Sequence, residues 1–164
     1  MTGEMRINGY LGYTLGFGDA FPDNDFMSVG PTFNIGGQFF YGWKENMMIG
    51  GELYLQNYTA KIKANSGLGI PSSSNGDMKF NILANLLYGM SQNEESAFYF
   101  IAGAGFYDYG GTSLGINGGI LYEKAFGESM TFFAMPRLHI VFEDNTPMML
   151  QLSSGATFPI GGGY

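Results

Sequence analysis

A chain of 164 residues suits one domain, and its net charge of −7 leaves little to neutralise nucleic-acid phosphates, so nucleic acid is not expected as a partner. With no cysteine it has no disulfides, no thiolate nucleophile and no thiolate metal site. Only 13% of residues are charged while 27 are glycine, 15 Phe and 11 Tyr, and no apolar run is long enough for a transmembrane helix.

The run Met5 to Phe17 sets the pattern. Its odd positions are Met5, Ile7, Gly9, Leu11, Tyr13, Leu15 and Phe17, and its even positions are Arg6, Asn8, Tyr10, Gly12, Thr14 and Gly16. In a strand these form one apolar face and one small, polar face; a helix would mix them. Thirteen residues at about 3.3 Å each make a long strand for a soluble protein and suit a tilted strand crossing a bilayer.

Residues 18–28 read as a loop rich in turn formers and acids. Alternation resumes over 29–43, with Val29, Phe33, Ile35, Phe39, Tyr41 and Trp43 opposed to Thr32, Asn34, Gln38 and glycines. After a turn at 44–46, residues 47–61 set Met47, Ile49, Leu53 and Leu55 against Glu52, Tyr54 and Gln56. The longest loop is expected over 63–77. Residues 78–90 and 97–109 form the next two strands, joined by a turn at 91–96, and 114–126 follows the tight connection at 110–113. The last two strands are 130–142, after a turn at 127–129, and 148–160, after a loop at 143–147. Eight long alternating strands with short connections predict an all-β chain, a single domain over 1–164 folded as an antiparallel up-and-down barrel. Pro31 and Pro136 argue against it, because proline cannot donate to a ladder, and each is expected at a bulge or near a strand end.

Alternation alone does not separate a soluble barrel, apolar inside, from a membrane barrel, apolar outside. Two features favour the membrane. The polar face carries Gly, Asn, Gln, Thr and Tyr with very few charges, unlike a water-exposed surface. Aromatics also collect toward the ends of the apolar face: Phe17, Phe80, Phe106 and Phe142 near one rim, and Tyr41, Trp43, Tyr88, Phe98, Tyr122, Phe132 and Phe158 near the other. Two girdles around a Leu/Ile/Met/Ala band are what anchoring at both interfaces requires. The expected fold is therefore a transmembrane β-barrel.

Strand number, alternation, girdles and the final strand Leu150-Gln151-Leu152-Ser153-Ser154-Gly155-Ala156-Thr157-Phe158 resemble the small eight-stranded outer-membrane proteins typified by the OmpA membrane domain and OmpX. The resemblance spans about residues 5–160. It implies a bacterial outer-membrane location, with the bilayer and lipopolysaccharide as surroundings. It also implies recognition by the insertion machinery, through Phe158 or Tyr164. The sequence carries no visible signal peptide and, if exported, is expected in its mature form.

Four charged residues point inward by parity: Glu52, Lys79, Glu123 and Arg137. A lone charge in so narrow a bore is costly, so Glu52 is expected to pair with Arg137, with Lys79 or Arg6 as competitors. The resemblance implies that such a Glu/Arg/Lys/Glu set can gate a narrow channel, but a structural network that satisfies the interior is favoured. His139, the only histidine, also points inward. Lipid A-modifying barrel enzymes pair a histidine with serine and a carboxylate, and no outward serine adjoins His139, so catalysis is not expected. Asp19, Asp23 and Asp25 could hold a divalent cation, although an acidic loop tip explains them without one.

The reading is thus an outer-membrane barrel without enzymatic activity or cofactor. Its role is structural or adhesive, with loops 18–28 and 63–77 open to protein partners. The alternatives are a narrow gated channel, a lipid A-modifying enzyme and a soluble lipocalin-like barrel.

Overall fold

A computed structural model describes residues 2–21, 27–63, 72–93, 95–109, 111–126 and 130–160. Among them every regular element is a strand: β1 (Met5–Phe17), β2 (Met27–Lys44), β3 (Met47–Ile62), β4 (Ser73–Gln92), β5 (Ser96–Asp108), β6 (Thr112–Ala125), β7 (Thr131–Val141) and β8 (Met148–Ile160). Each pairs antiparallel with its neighbours in sequence, and β1 closes on β8 from Met5↔Ile160 to Phe17↔Met148. Closure removes the sheet edges that an open sheet of this length would expose.

The side-chain period of two sorts the chain into an outside and an inside. Leu11, Leu53, Ile82, Phe100 and Leu152 project outward and are exposed, whereas Asn8, Asn34, Glu52, Asn81, Arg137 and Gln151 are buried. A barrel in water would reverse this arrangement. Apolar side chains share the bore as well: Phe40, Met48, Leu87, Ile101, Leu121 and Met135 are fully buried. The expectation of a largely polar inner face is therefore corrected to a mixed one. A barrel of eight strands has room only for side chains, and apolar ones fill volume without needing partners.

The hairpin of β3 and β4 departs most from expectation. Residues 73–77, expected in a loop, continue β4 and pair with β3 from Ile62↔Ser73 to Tyr58↔Asp77. At the other long loop, Met27 and Ser28 belong to β2 and pair with Ile62 and Lys61. β2, β3 and β4 thus extend beyond their other neighbours: the β1–β2 ladder ends at Tyr13↔Phe33, and the β4–β5 ladder at Ile82↔Phe106. Of the two expected loops, residues 22–26 and 64–71 lie outside the described residues, as does the expected turn at 127–129.

The prolines are accommodated in two ways. Pro31 adjoins a register shift in the β2–β3 ladder between Pro31 and Asn34. Pro136 has no bulge: the β6–β7 ladder skips it, passing from Gly119↔Arg137 to Tyr122↔Ala134 in one register, while Pro136 still lies opposite Leu152 of β8. Its missing N–H therefore costs one bond on one side of the strand.

Candidate functional site

The centre of the bore is organised around the Glu52 carboxylate of β3. Arg137, from β7 across the barrel, donates Nη1 to Oε2 at 2.6 Å and Nη2 to Oε1 at 2.5 Å, a two-pronged ion pair with both side chains fully buried. Gln38 Nε2 donates to Oε2 at 3.0 Å, Asn85 Nδ2 to the same oxygen at 2.6 Å, and the Tyr10 hydroxyl to Oε1. An ion pair removed from water persists only when its remaining hydrogen-bonding positions are also satisfied, and here neutral donors from β1, β2 and β4 do that for Glu52.

The network continues upward through Arg137. Its Nη2 also donates to Gln151 Oε1 at 2.8 Å, the oxygen that faces His139 Nε2 at 2.7 Å. A guanidinium has no acceptor, so the Gln151 oxygen must face it, and His139 then carries its hydrogen on Nε2. That leaves His139 Nδ1 to accept from the Tyr107 hydroxyl at 2.9 Å. Gln151 Nε2 donates onward to Asn34 Oδ1 at 2.9 Å. Both nitrogens of the single histidine are thus occupied by glutamine and tyrosine, and neither meets a serine.

The other two inward-facing candidates do not join this centre. Glu123 is buried, but its partner is Arg6, with Nη1 to Oε2 at 3.0 Å and Thr157 Oγ1 to Oε1 at 3.2 Å. The Arg6 guanidinium lies 4.8 Å from the Tyr99 ring and 5.6 Å from that of Phe40, so two of its faces are covered by aromatic surface. Lys79 is corrected outright. It is only half-buried on the upper part of β4 and bonds Asp77 at 2.8 Å, with Asp108 at 3.9 Å. Its parity is inward, but its depth lies above the β4–β5 ladder, where water reaches it.

Toward the loop end the bore holds a cluster of aromatics that the sequence pattern did not single out. Phe21, just past β1, stacks on Tyr58 at 6.5 Å and meets Tyr109 edge-on at 5.6 Å. Tyr109 donates its hydroxyl to the Ala20 carbonyl at 2.9 Å, which ties the loop after β1 to the end of β5. Gly16 lies directly beneath the Phe21 ring, where a Cβ would come within 2.5 Å of it, so glycine is what lets the ring seat. A Phe in a loop gives no alternation to flag it, but its spacing from an inward glycine was the available signal. At the same end the Ser113 hydroxyl donates to Glu143.

All the girdle candidates lie on the outer face: Phe17, Phe80, Phe106, Phe142, Tyr41, Trp43, Tyr88, Phe98, Phe132 and Phe158 are exposed, and Tyr122 is half-covered by Phe98 at 4.6 Å. Phe80 stands well inside β4 because that strand continues upward beyond it. Of the suggested cation cage, Asp23 and Asp25 lie outside the described residues, and among the described residues no group of three potential ligands converges.

The sequence matches no protein-family model and no curated protein sequence. Solved structures are similar in fold. Neisserial surface protein A aligns over 94% of this chain and 96% of its own, with a TM-score of 0.65 and 15% identity. Ail, the attachment invasion locus protein of Yersinia pestis, aligns over 98% of this chain and all of its own, with a TM-score of 0.54 and 15% identity. The outer membrane protein AlkL, solved in lipid bilayers, aligns over 99% of this chain and 92% of its own, with a TM-score of 0.55 and 14% identity. The fold is that of the small eight-stranded transmembrane β-barrels, as the final strand, girdles and alternation had suggested.

Proposed function

We propose that this chain is a non-enzymatic barrel of the bacterial outer membrane. In this reading its bore is a structural plug and its work is done at the loop end, as an adhesion or interaction surface. One observation carries the plug: both oxygens of the central carboxylate are already taken inside the protein, by Arg137 and three neutral donors. Apolar side chains fill the bore between this centre and the Arg6–Glu123 pair, and Phe21 covers the loop end. The interaction role is supported by likeness to Ail, named for attachment and invasion and crystallised with a heparin analogue. The surrounding partners are the bilayer with its lipopolysaccharide and, during assembly, the insertion machinery that reads the last strand.

A second reading is a narrow gated channel, favoured by the same Glu52–Arg137 pair, since a pair that re-forms with another partner would open the bore. The distinguishing experiment is purification from outer membranes in detergent, with heat-modifiable gel migration and planar-bilayer recording. Heat-modifiable protein that stays electrically silent supports the plug. Steady wild-type openings would replace it with the channel, and protein soluble without detergent would overturn both.

A further inference from the structure

The outer face of the barrel is not a smooth wall. Two hollows of about 470 and 790 Å³ lie side by side on it, and Phe39 of β2 lines both. Their floor forms where small outward residues meet across the ladders: Gly51 of β3 lies opposite Ala84 of β4, and Ala84 opposite Ala104 of β5. Around it Phe39, Ile49, Leu53, Ile82 and Leu86 stand up as walls. An empty hollow forfeits the contacts of its lining, so a hydrocarbon chain lying along this one gains dispersion energy that a flat stretch of the same face does not offer.

The hollows lead down to a pair of opposite charges. Followed from strand to strand, the paired row that leaves Gly9 of β1 passes Gly37, Leu53, Ile82 and Phe106 and reaches Leu114, near the loop end of β6. Such rows climb because the strands tilt by about 40° in a barrel of this kind, and the lower end of β2 therefore sits beneath the middle of β3 and β4. That lower end carries Trp43 and Lys44, with the Lys44 ammonium 4.5 Å from the Trp43 ring centroid. Tryptophan belongs at the headgroup level of a bilayer, and the cation–π contact holds the ammonium beside it. Glu45 follows in the turn, and both charged residues are exposed. Among the described residues neither joins an ion pair.

We propose that this face binds one glycerophospholipid of the leaflet on the terminal side, and that its headgroup is phosphoethanolamine. One acyl chain lies in the hollow floored by Gly51, Ala84 and Ala104. The phosphate accepts from Lys44, and the headgroup ammonium donates to Glu45. The two charges select the headgroup. Phosphatidylglycerol has no cation and leaves Glu45 facing a second anion, and a choline headgroup has no N–H for the carboxylate. The proposal rests on the reading of the chain as an outer-membrane barrel with its loop end outside, and it adds a lipid partner at the other end of the molecule.

The test places the protein in nanodiscs holding equal amounts of phosphatidylethanolamine, phosphatidylglycerol and phosphatidylcholine with identical chains. The protein is then moved into mild detergent, and native mass spectrometry counts the lipids it retains. One phosphatidylethanolamine per barrel should be retained in preference to the other two. Lys44→Gln should cut that preference about tenfold, the value of one hydrogen bond to a charged group, while Lys44→Arg keeps it. Glu45→Gln should lose the discrimination against the other two headgroups. Ala84→Leu with Ala104→Leu fills the hollow from outside the bore and should remove the preference, whereas Ala134→Leu on the outer face of β7 should leave it unchanged. Gly51→Leu, where an added Cβ meets nothing closer than 3.9 Å, fills the same floor should the double variant fail to insert. Equal retention of the three lipids, a preference for phosphatidylglycerol, or undiminished retention by the filled variants overturns the proposal. Heat-modifiable migration separates the two readings: a barrel that migrates normally and retains no preferred lipid loses this site alone, whereas protein soluble without detergent loses the membrane with it.

Discussion

Glu52 and Arg137 are a pair, but not an even one. Removing Arg137 leaves the carboxylate with Tyr10, Gln38 and Asn85 still donating. Removing Glu52 leaves the guanidinium with Gln151 as its acceptor, and its Nε has no partner among the described residues even in the intact protein. Breaking one side of a buried pair costs about 3–5 kcal/mol. Arg137→Ala should fall at the lower end and Glu52→Ala at the upper, with the double variant costing less than the sum. The temperature at which the folded gel band is lost measures all three. Equal, strictly additive losses would mean the two side chains do not share one site. The contact was legible in the sequence because parity alone sends both residues inward. Their companions were not, because which inward residues meet depends on the stagger between strands: Arg6 finds Glu123 although they are 117 positions apart. Lys79 shows the opposite limit, since parity gives a face and says nothing of height.

The strands were the most legible level, because an outer face in lipid and an inner face of fixed polarity impose alternation on every turn of the pleat. Where that constraint ends, so does the signal. Residues 73–77, Ser-Ser-Asn-Gly-Asp, stand beyond the β4–β5 ladder with no apolar face to write, and they read as loop although they pair regularly with β3. The paired positions Leu53 and Ile82, by contrast, both face outward and exposed on β3 and β4. Leu53→Arg places a charge on the lipid face and should cost about 2–4 kcal/mol if that position lies near the midplane. Glu52→Gln, one residue away and on the other face, should leave insertion intact while weakening the bond to Arg137. Folding yield into vesicles separates the two variants, and a well-tolerated Leu53→Arg would remove lipid from that face.

At the scale of the molecule, an even number of strands returns both termini to one side, so the loop after β1 and the β3–β4 loop share the other. Trypsin added to intact cells should cut beside Lys61 or Lys63 and spare Lys44 in the opposite turn; the reverse pattern would invert the barrel. Conduction is then a question of how many closures lie in series along the bore. In the proposed plug, Phe21 against Tyr58 and Tyr109 closes the loop end, the Glu52–Arg137 network closes the centre, and Arg6–Glu123 with Phe40 and Tyr99 closes the terminal end. An ion must pass all three, so opening one leaves the others in place. Arg137→Ala alone should therefore remain silent in a planar bilayer, as should Phe21→Ala and Arg6→Ala singly. Only variants that combine losses at both ends with the central one should show openings, and those should be the least stable. If the central pair were instead a gate, the remaining closures would have to be permeable already, and Arg137→Ala by itself would raise open probability. Steady conductance from that single variant would show that the aromatic end and the Arg6–Glu123 end do not block the path.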